Sequence, residues 1–339
     1  KRQRDDSLAA PPIGLTKRIL LVDDGEHAYP VVGEFPVLLA PERLVKADKI
    51  DGDDKVDLCD PRYAEAYDEM SHYNSVGEER LGEAENQAIG SIMGALATHP
   101  DPQSIGASFP QPWKMWLDAR HDSLSQLEAY QYLSPIAGKV FLQLGGSGSH
   151  AVKALIAGAE KAFLLTPMLS EARFAHRLAQ YFQVSDRLAC VLGVGEELPF
   201  ADNSVDLVYS GGCLHHMRLG YVAAGLHRIL CPGGRFAAVD PWETPLHTIG
   251  TKLIGKRETS VYCRPITPER LKPMEFRFPD LLLSRHGPLL RYLFLGLEKA
   301  RLRLPVSWMV RVARADDCFG RLVGLKDSYG GSLVMAGMK

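Results

Sequence analysis

Residues 139–240 predict an α/β fold, a mostly parallel sheet with helices on both faces, and three observations carry that prediction. Short apolar runs alternate along this segment with stretches of helical periodicity. The first run is joined to the first helix by a glycine turn, "GGSGS" at residues 145–149, which needs backbone angles that glycine adopts freely. Hydrophobic residues are 46% of the chain and charged residues 24%, so the segment can bury a core and is not disordered.

The elements follow in order. "KVFLQL" reads as a strand, "HAVKALIAGA" as a helix, "KAFLLT" as a strand and "SEARFAHRLAQYF" as a helix. "LACVLG" and "VDLVYS" read as strands, "GYVAAGLHRIL" as a helix and "GRFAAVD" as a strand. Strand, glycine turn and helix in succession set backbone N–H groups at a helix N-terminus, where a carboxylate or phosphate can be received. Ligands of such sheets sit at the carboxyl ends of the strands.

Before this core, residues 17–43 give short β-like runs broken at Asp23 to Gly25 and at Gly33, which predicts a small β module over residues 1–44. Residues 61–99 have helical patterning; Pro100, Pro102, Pro110 and Pro112 mark a loop; and "PWKMWLDARHDSLSQLEAYQYLSPIAG" predicts a further helix ending at Pro135 to Gly138. Residues 45–135 are thus expected to form a helical cap, with the α/β domain at 136–339. After the core, residues 281–304, "LLLSRHGPLLRYLFLGLEKARLRL", combine apolar residues with Arg285, Arg291, Lys299, Arg301 and Arg303. They predict a basic amphipathic helix that could pack on the domain, contact an anionic membrane or line a pocket for a lipid-like substrate.

Composition narrows the function. A formal net charge of -2 argues against nucleic acid as the main partner. Residues 1–100 are acidic on balance and residues 252–326 basic, which fits docking between them or an anionic ligand at the basic part. The six cysteines are scattered with no CxxC pair, so neither a disulfide framework nor a zinc site is expected, and the metal expectation is none. The charged opening "KRQRDDSLAAPPIG" lacks a signal-like apolar stretch and no apolar run reaches membrane-spanning length. The expected location is the cytoplasm.

Two ligand classes fit the glycine turn. Gly146, Gly148 and Ala151 form GxGxxA, the dinucleotide spacing, but Thr166 stands where that fingerprint wants an acid. The second class rests on a resemblance. "LGVGEELPFADNSVDLVYSGGCLHHM" is similar to the stretch GDAEELPFPDNSFDVVYSSGVLHHL of class I S-adenosylmethionine (SAM) methyltransferases, and "LHRILCPGGRFAAVD" continues the match. The resemblance spans residues 139–240 and implies a Rossmann-like, seven-stranded class I sheet, for which "GGSLVMAGMK" supplies the antiparallel last strand. "YPVVGEFPVLL" resembles the end of a methyltransferase-associated zinc-ribbon module; it has no cysteines, so a metal-free remnant kept for packing or partner contact is implied.

In that family the glycine turn receives the methionine part of SAM, an acid ending the second strand holds the ribose, and an acid after the third reads the adenine. Carried over by position, the implied cofactor contacts are Gln143, Gly145, Gly146 and Gly148; Thr166 with Pro167 and Met168; Gly193, Val194, Gly195 and Glu196; and Ser210 with Gly211. Gln143, Thr166 and Val194 replace three acids of the family pattern. Losing two hydrogen bonds to charged groups would weaken binding by about 10²- to 10⁴-fold, unless Gln143, Thr166 and Glu196 or Glu197 substitute. The implied activity is SAM-dependent methyl transfer to a small or lipid-like molecule. The alternative is a degenerate member serving as a binding or scaffold protein, or as a SAM-independent enzyme.

Methyl transfer from a sulfonium needs alignment above all, and a base only where the acceptor loses a proton. His215 and His216, after the fourth strand, are the candidate bases, against a packing role. Cys213 reads as a small buried filler. "EAYDEMSHYN" resembles a family segment whose aromatic residues fold over SAM, which makes Tyr67 and Tyr73 lid candidates.

Overall fold

In the computed structural model, the residues described are 18–21, 28–32, 35, 36, 38, 82, 85–93, 121–245, 264–300 and 306–339. The N-terminal runs form β1 (Arg18–Leu21), β2 (Ala28–Val32) and β3 (Phe35–Pro36), an antiparallel sheet in the order β1-β2-β3. Within the expected helical cap, residues 85–93 are helical and α1 spans Ser123–Leu133. Tyr67 and Tyr73 lie outside the described residues.

The core alternates as the apolar runs predict. β4 (Val140–Leu144) leads through the glycine turn into α2 (Ser149–Ile156), then β5 (Lys161–Thr166), α3 (Leu169–Tyr181), β6 (Leu188–Leu192) and β7 (Val205–Gly211). α4 (Leu219–Ile229), β8 (Leu230–Pro241) and α5 (Pro268–Arg277) follow. β9 (Leu282–His286), α6 (Arg291–Lys299), α7 (Val306–Leu322), α8 (Lys326–Tyr329) and β10 (Ser332–Met338) complete the described chain.

Seven strands form one sheet in the order β6-β5-β4-β7-β8-β10-β9. From β6 to β8 neighbours run parallel, while β10 is antiparallel to both β8 and β9. This is the class I methyltransferase sheet, with the closing run in the reversed position. Its parallel strands are nearly continuously apolar because both faces are covered. Phe141 joins a cluster with Leu133, Val152, Leu155 and Leu178 beneath α1, α2 and α3. Leu142, its neighbour, joins Val208, Val222, Leu226 and Met274 on the opposite face, beneath α4 and α5. In α4 the inward residues Leu219, Val222, Ala223, Leu226 and Ile229 fall at helical spacing. A large aliphatic side chain buried in this way contributes about 1.5–3 kcal/mol.

Residues 281–304 are not one amphipathic helix. Leu282–His286 is a strand, Gly287 takes φ +69° before Pro288, and the helix begins only at Arg291. Two forces override the helical pattern: the exposed edge of β10 takes β9 as its partner, and the Gly-Pro pair stops helical propagation. Two of the cations face the protein. Arg285 lies over the Trp242 ring at 5.0 Å, and Arg291 Nε donates to Asp122 Oδ1 at 2.8 Å. Among the described residues no helix is long and apolar enough to cross a membrane.

Candidate functional site

The carboxyl ends of the parallel strands are laced by main-chain hydrogen bonds. Gly145 N donates to Leu165 O at 2.8 Å, Gly193 N to Thr166 O at 3.1 Å and Gly212 N to Val239 O at 2.7 Å. Ser210 Oγ adds a side-chain tie to Leu144 O at 3.0 Å, so it braces β7 to β4. The glycine turn rises from this edge with Gly145, Gly146 and Gly148 at φ +74°, +74° and +79°. A Cβ on Gly145 would stand 2.7 Å from Cys213 Sγ; one on Gly148 would stand 2.8 Å from Leu164 Cδ2. The turn is a glycine cradle leading into the N-terminus of α2, its glycines required by positive φ and by the close approach of Cys213 and Leu164.

Gln143 is 2% exposed and spans the cradle from beneath. Its Nε2 donates to Gly145 O and its Oε1 accepts from Ala151 N, both at 2.9 Å. An amide can do both at once, whereas a carboxylate only accepts. The replaced acid has become a brace.

At the end of β5, Thr166 Oγ1 accepts from Met168 N at 3.2 Å and donates to Glu171 Oε2, in the first turn of α3. Pro167 and Met168 form the connecting turn. Burial pushes the Glu171 carboxyl up to about 7, against the lowering effect of the Thr166 hydroxyl. After β6, Val194 is buried and apolar at 5% exposure. A Cβ on Gly195 would stand 2.9 Å from Met217 Cε, and one on Gly193 3.3 Å from Leu38 O. Leu38 N donates to Leu192 O at 2.9 Å, and Phe35 meets the His176 ring edge-on at 5.9 Å. The N-terminal segment thus reaches this end of the sheet. Glu196 is committed to the fold, its Oε1 accepting from Arg218 N at 2.9 Å where α4 begins.

After β7, Gly211 leads to the two histidines. His215 Nδ1 and Asp240 Oδ1 are 2.8 Å apart, and the same oxygen accepts from His215 N at 3.0 Å. Asp240, at the end of β8, is 2% exposed, and its Oδ2 has no partner among the described residues. Paired with a carboxylate, His215 Nδ1 carries the proton, which leaves Nε2 as the basic nitrogen. The His216 ring lies against it, centroids 3.8 Å apart and planes tilted by 41°. From α5, Arg270 Nη2 donates to His215 O at 2.9 Å and Met217 O at 3.1 Å, fixing this turn. A cavity of about 310 Å³ opens beside the turn, lined in part by Met217, Arg218, Arg264, Glu269 and Arg270. Behind α2, Tyr130 bonds to His150 Nδ1 and stacks on Tyr209 at 4.9 Å, anchoring α1 to the cradle.

The structure therefore assembles all the sequence-predicted site residues along one edge but divides their roles. Gln143, Ser210 and Glu196 make hydrogen bonds that hold the architecture, while Gly145, Gly146 and Gly148 form the turn after β4 and Thr166 ends β5. Glu171, Asp240, Arg270 and Leu38 went unnoticed in the sequence. For Glu171 a signal existed, an acid in the first turn after a strand end that lacks one.

Residues 142–238 match the family model described as the methyltransferase domain. The chain carries a methyltransferase domain. An uncharacterised methyltransferase of Synechocystis sp. is 45% identical over 53 residues, 15% of this chain and 25% of that protein. The ubiquinone/menaquinone biosynthesis C-methyltransferase of Rubrivivax gelatinosus is 29% identical over 139 residues, 38% of this chain and 53% of that protein. The chain thus spans about half the length of one curated relative and a quarter of the other. Among solved structures, geranyl diphosphate C-methyltransferase from Streptomyces coelicolor is similar at a TM-score of 0.45 and 16% identity, covering 64% of this chain and 84% of that one.

The methyltransferase domain's edge suits an adenosyl ligand in two respects: the glycine turn leads into the N-terminus of α2, and Glu171 sets a carboxyl beside the end of β5. Val194 offers no polar side chain to an adenine amine.

Proposed function

We propose that this protein is a SAM-dependent methyltransferase acting on a small or lipid-like molecule rather than on nucleic acid. The observation that carries the reading is the glycine cradle at residues 145–148, seated at the strand ends of a class I sheet inside the methyltransferase domain. SAM, when bound, supplies an activated methyl group. The chain's part is positioning: the cradle and the N-terminus of α2 receive the polar amino-acid end, and the β5 turn receives the sugar. With Nδ1 fixed on Asp240, His215 Nε2 takes the proton of an acceptor that must lose one. The cavity beside Met217 and Arg270 is of small-molecule size, and its guanidinium groups favour an acceptor with an anionic or strongly polar head. Residues 45–135, expected as a helical cap and only partly within the described residues, and the basic insertion expected at about 241–330, between β8 and β10, are proposed to shape the acceptor side.

Calorimetric titration with SAM and S-adenosylhomocysteine tests the reading. Micromolar binding supports it, and no heat at millimolar ligand overturns it. A second reading, in which the fold is kept for binding without methyl transfer, is favoured by Val194 and by the approach of Leu38 and Met217 to the β6 end. Absence of SAM binding would promote it.

A further inference from the structure

Glu171 is a part-buried carboxyl that the fold does not use in the ordinary way. It occupies the third position of α3, where an acid commonly reaches back to the N-cap backbone N–H. Here that N–H, on Met168, goes to Thr166 Oγ1 instead. Glu171 receives a single hydrogen bond, from the Thr166 hydroxyl, and its Oε1 has no partner among the described residues. No cation pairs with it there. A part-buried carboxyl with a single donor, set at a strand end of a parallel sheet, is placed to take a ligand's donors.

Its place indicates what that is. Thr166 ends β5, next to β4 and its cradle, and its carbonyl accepts from Gly193 N. Glu171 therefore stands between the glycine turn after β4 and the loop after β6, in the crevice where parallel α/β sheets take the sugar of a nucleotide ligand. Resting on the proposed methyltransferase reading, we propose that Glu171, steadied by Thr166, is the acceptor for the ribose hydroxyls of the adenosyl ligand. The carboxylate arrives from the first turn of the following helix rather than from the strand end itself. Two hydroxyl donors would satisfy Glu171 Oε1 and draw the carboxyl into its ionised form. Because the free group titrates near 7, ligand uptake would release a proton at acidic pH.

The test is calorimetric titration of the full chain, wild type, Glu171→Gln and Glu171→Ala, with S-adenosylhomocysteine and with its analogue lacking both ribose hydroxyls. The wild type is expected to bind S-adenosylhomocysteine about tenfold more weakly at pH 6 than at pH 8, and Glu171→Gln to lose this pH dependence. Glu171→Ala is expected to weaken S-adenosylhomocysteine about 10- to 100-fold at pH 8 and the deoxy analogue less than threefold. Should the alanine variant not fold, the glutamine variant's flat pH profile carries the test. Wild-type binding with equal losses for both ligands, or with an unchanged pH profile in Glu171→Gln, overturns the ribose role and leaves the methyltransferase reading intact. Failure of the wild type to bind overturns both.

Discussion

Far from the cradle, His286 joins three elements, and its titration should be visible in stability. Its Nδ1 lies 2.5 Å from Asp317 Oδ2 on α7, and its Nε2 2.7 Å from Glu128 Oε2 on α1 and 3.1 Å from Ser284 Oγ. Lys326 Nζ, on α8, reaches the same Asp317 oxygen at 3.0 Å, and Gly287 N donates to Asp317 Oδ1 at 3.1 Å. Despite desolvation, the hydrogen bonds that His286 donates to the two carboxylates raise its pKa above its ordinary 6.5, and His286 lowers those of Glu128 and Asp317. A raised histidine contributes stability that is fully present below 6.5 and fades as pH climbs through the folded value. The lowered carboxylates contribute above their ordinary 4.5 and 3.8, and lose it as pH falls through their folded values. The latch is therefore complete between about 4.5 and 6.5. Glu128 is 43% exposed, so its share is screened, while Asp317 is 3% exposed. In His286→Ala, Asp317 keeps Lys326 and Gly287 N, so the cost falls below the 3–5 kcal/mol of an orphaned buried charge, at about 2–3 kcal/mol. That corresponds to a Tm lowered by about 5 °C. Circular dichroism melting at pH 6 should show this gap, and at pH 8.5 it should shrink to half or less. A gap constant across this range, or none at pH 6, would refute the reasoning.

Three further outcomes follow from the geometry. Gly148→Ala sets a Cβ 2.8 Å from Leu164 Cδ2 and closer still to Ala175 Cβ, at a φ of +79°; denaturant unfolding should show a loss of about 2–4 kcal/mol from overpacking and backbone strain. Gln143→Leu leaves Gly145 O and Ala151 N without their buried partner and should cost about 2–4 kcal/mol in the same assay, whereas a loss under 1 kcal/mol would remove the bracing role. Asp240→Ala takes away the group that orients His215. For an acceptor that loses a proton, kcat should fall at least tenfold with S-adenosylhomocysteine affinity held within about threefold, and an unchanged kcat would dismiss His215 as base.

The parallel core was legible because its signals are local. A run such as "KAFLLT" is apolar throughout since both faces of β5 are covered, and Gly145 to Gly148 announce positive φ by composition alone. What escaped depends on contacts across space. Asp240 meets His215 from 25 residues away, and its burial is set by neighbouring strands. Glu196 looked available for a ligand only because the Arg218 N–H it accepts from cannot be seen in one dimension. Residues 282–286 carried a helix-like pattern, yet the vacant edge of β10 outweighed it. Gln143 adjoins the glycine turn in sequence, but an amide that donates on one side and accepts on the other is recognised as a strut only once both partners are located.

The placement of β10 between β8 and β9 bears on how the chain is made. β9 emerges from the ribosome before α6, α7 and α8, and the strand that gives it a neighbour emerges only after them. Until then the nascent protein holds the parallel half of its sheet with an open β8 edge, while β9 waits unpaired. Such an intermediate exposes strand edges of the kind that chaperones cover. β10, later in the chain than β9, is the strand that ties β9 to the sheet, one place in from its margin.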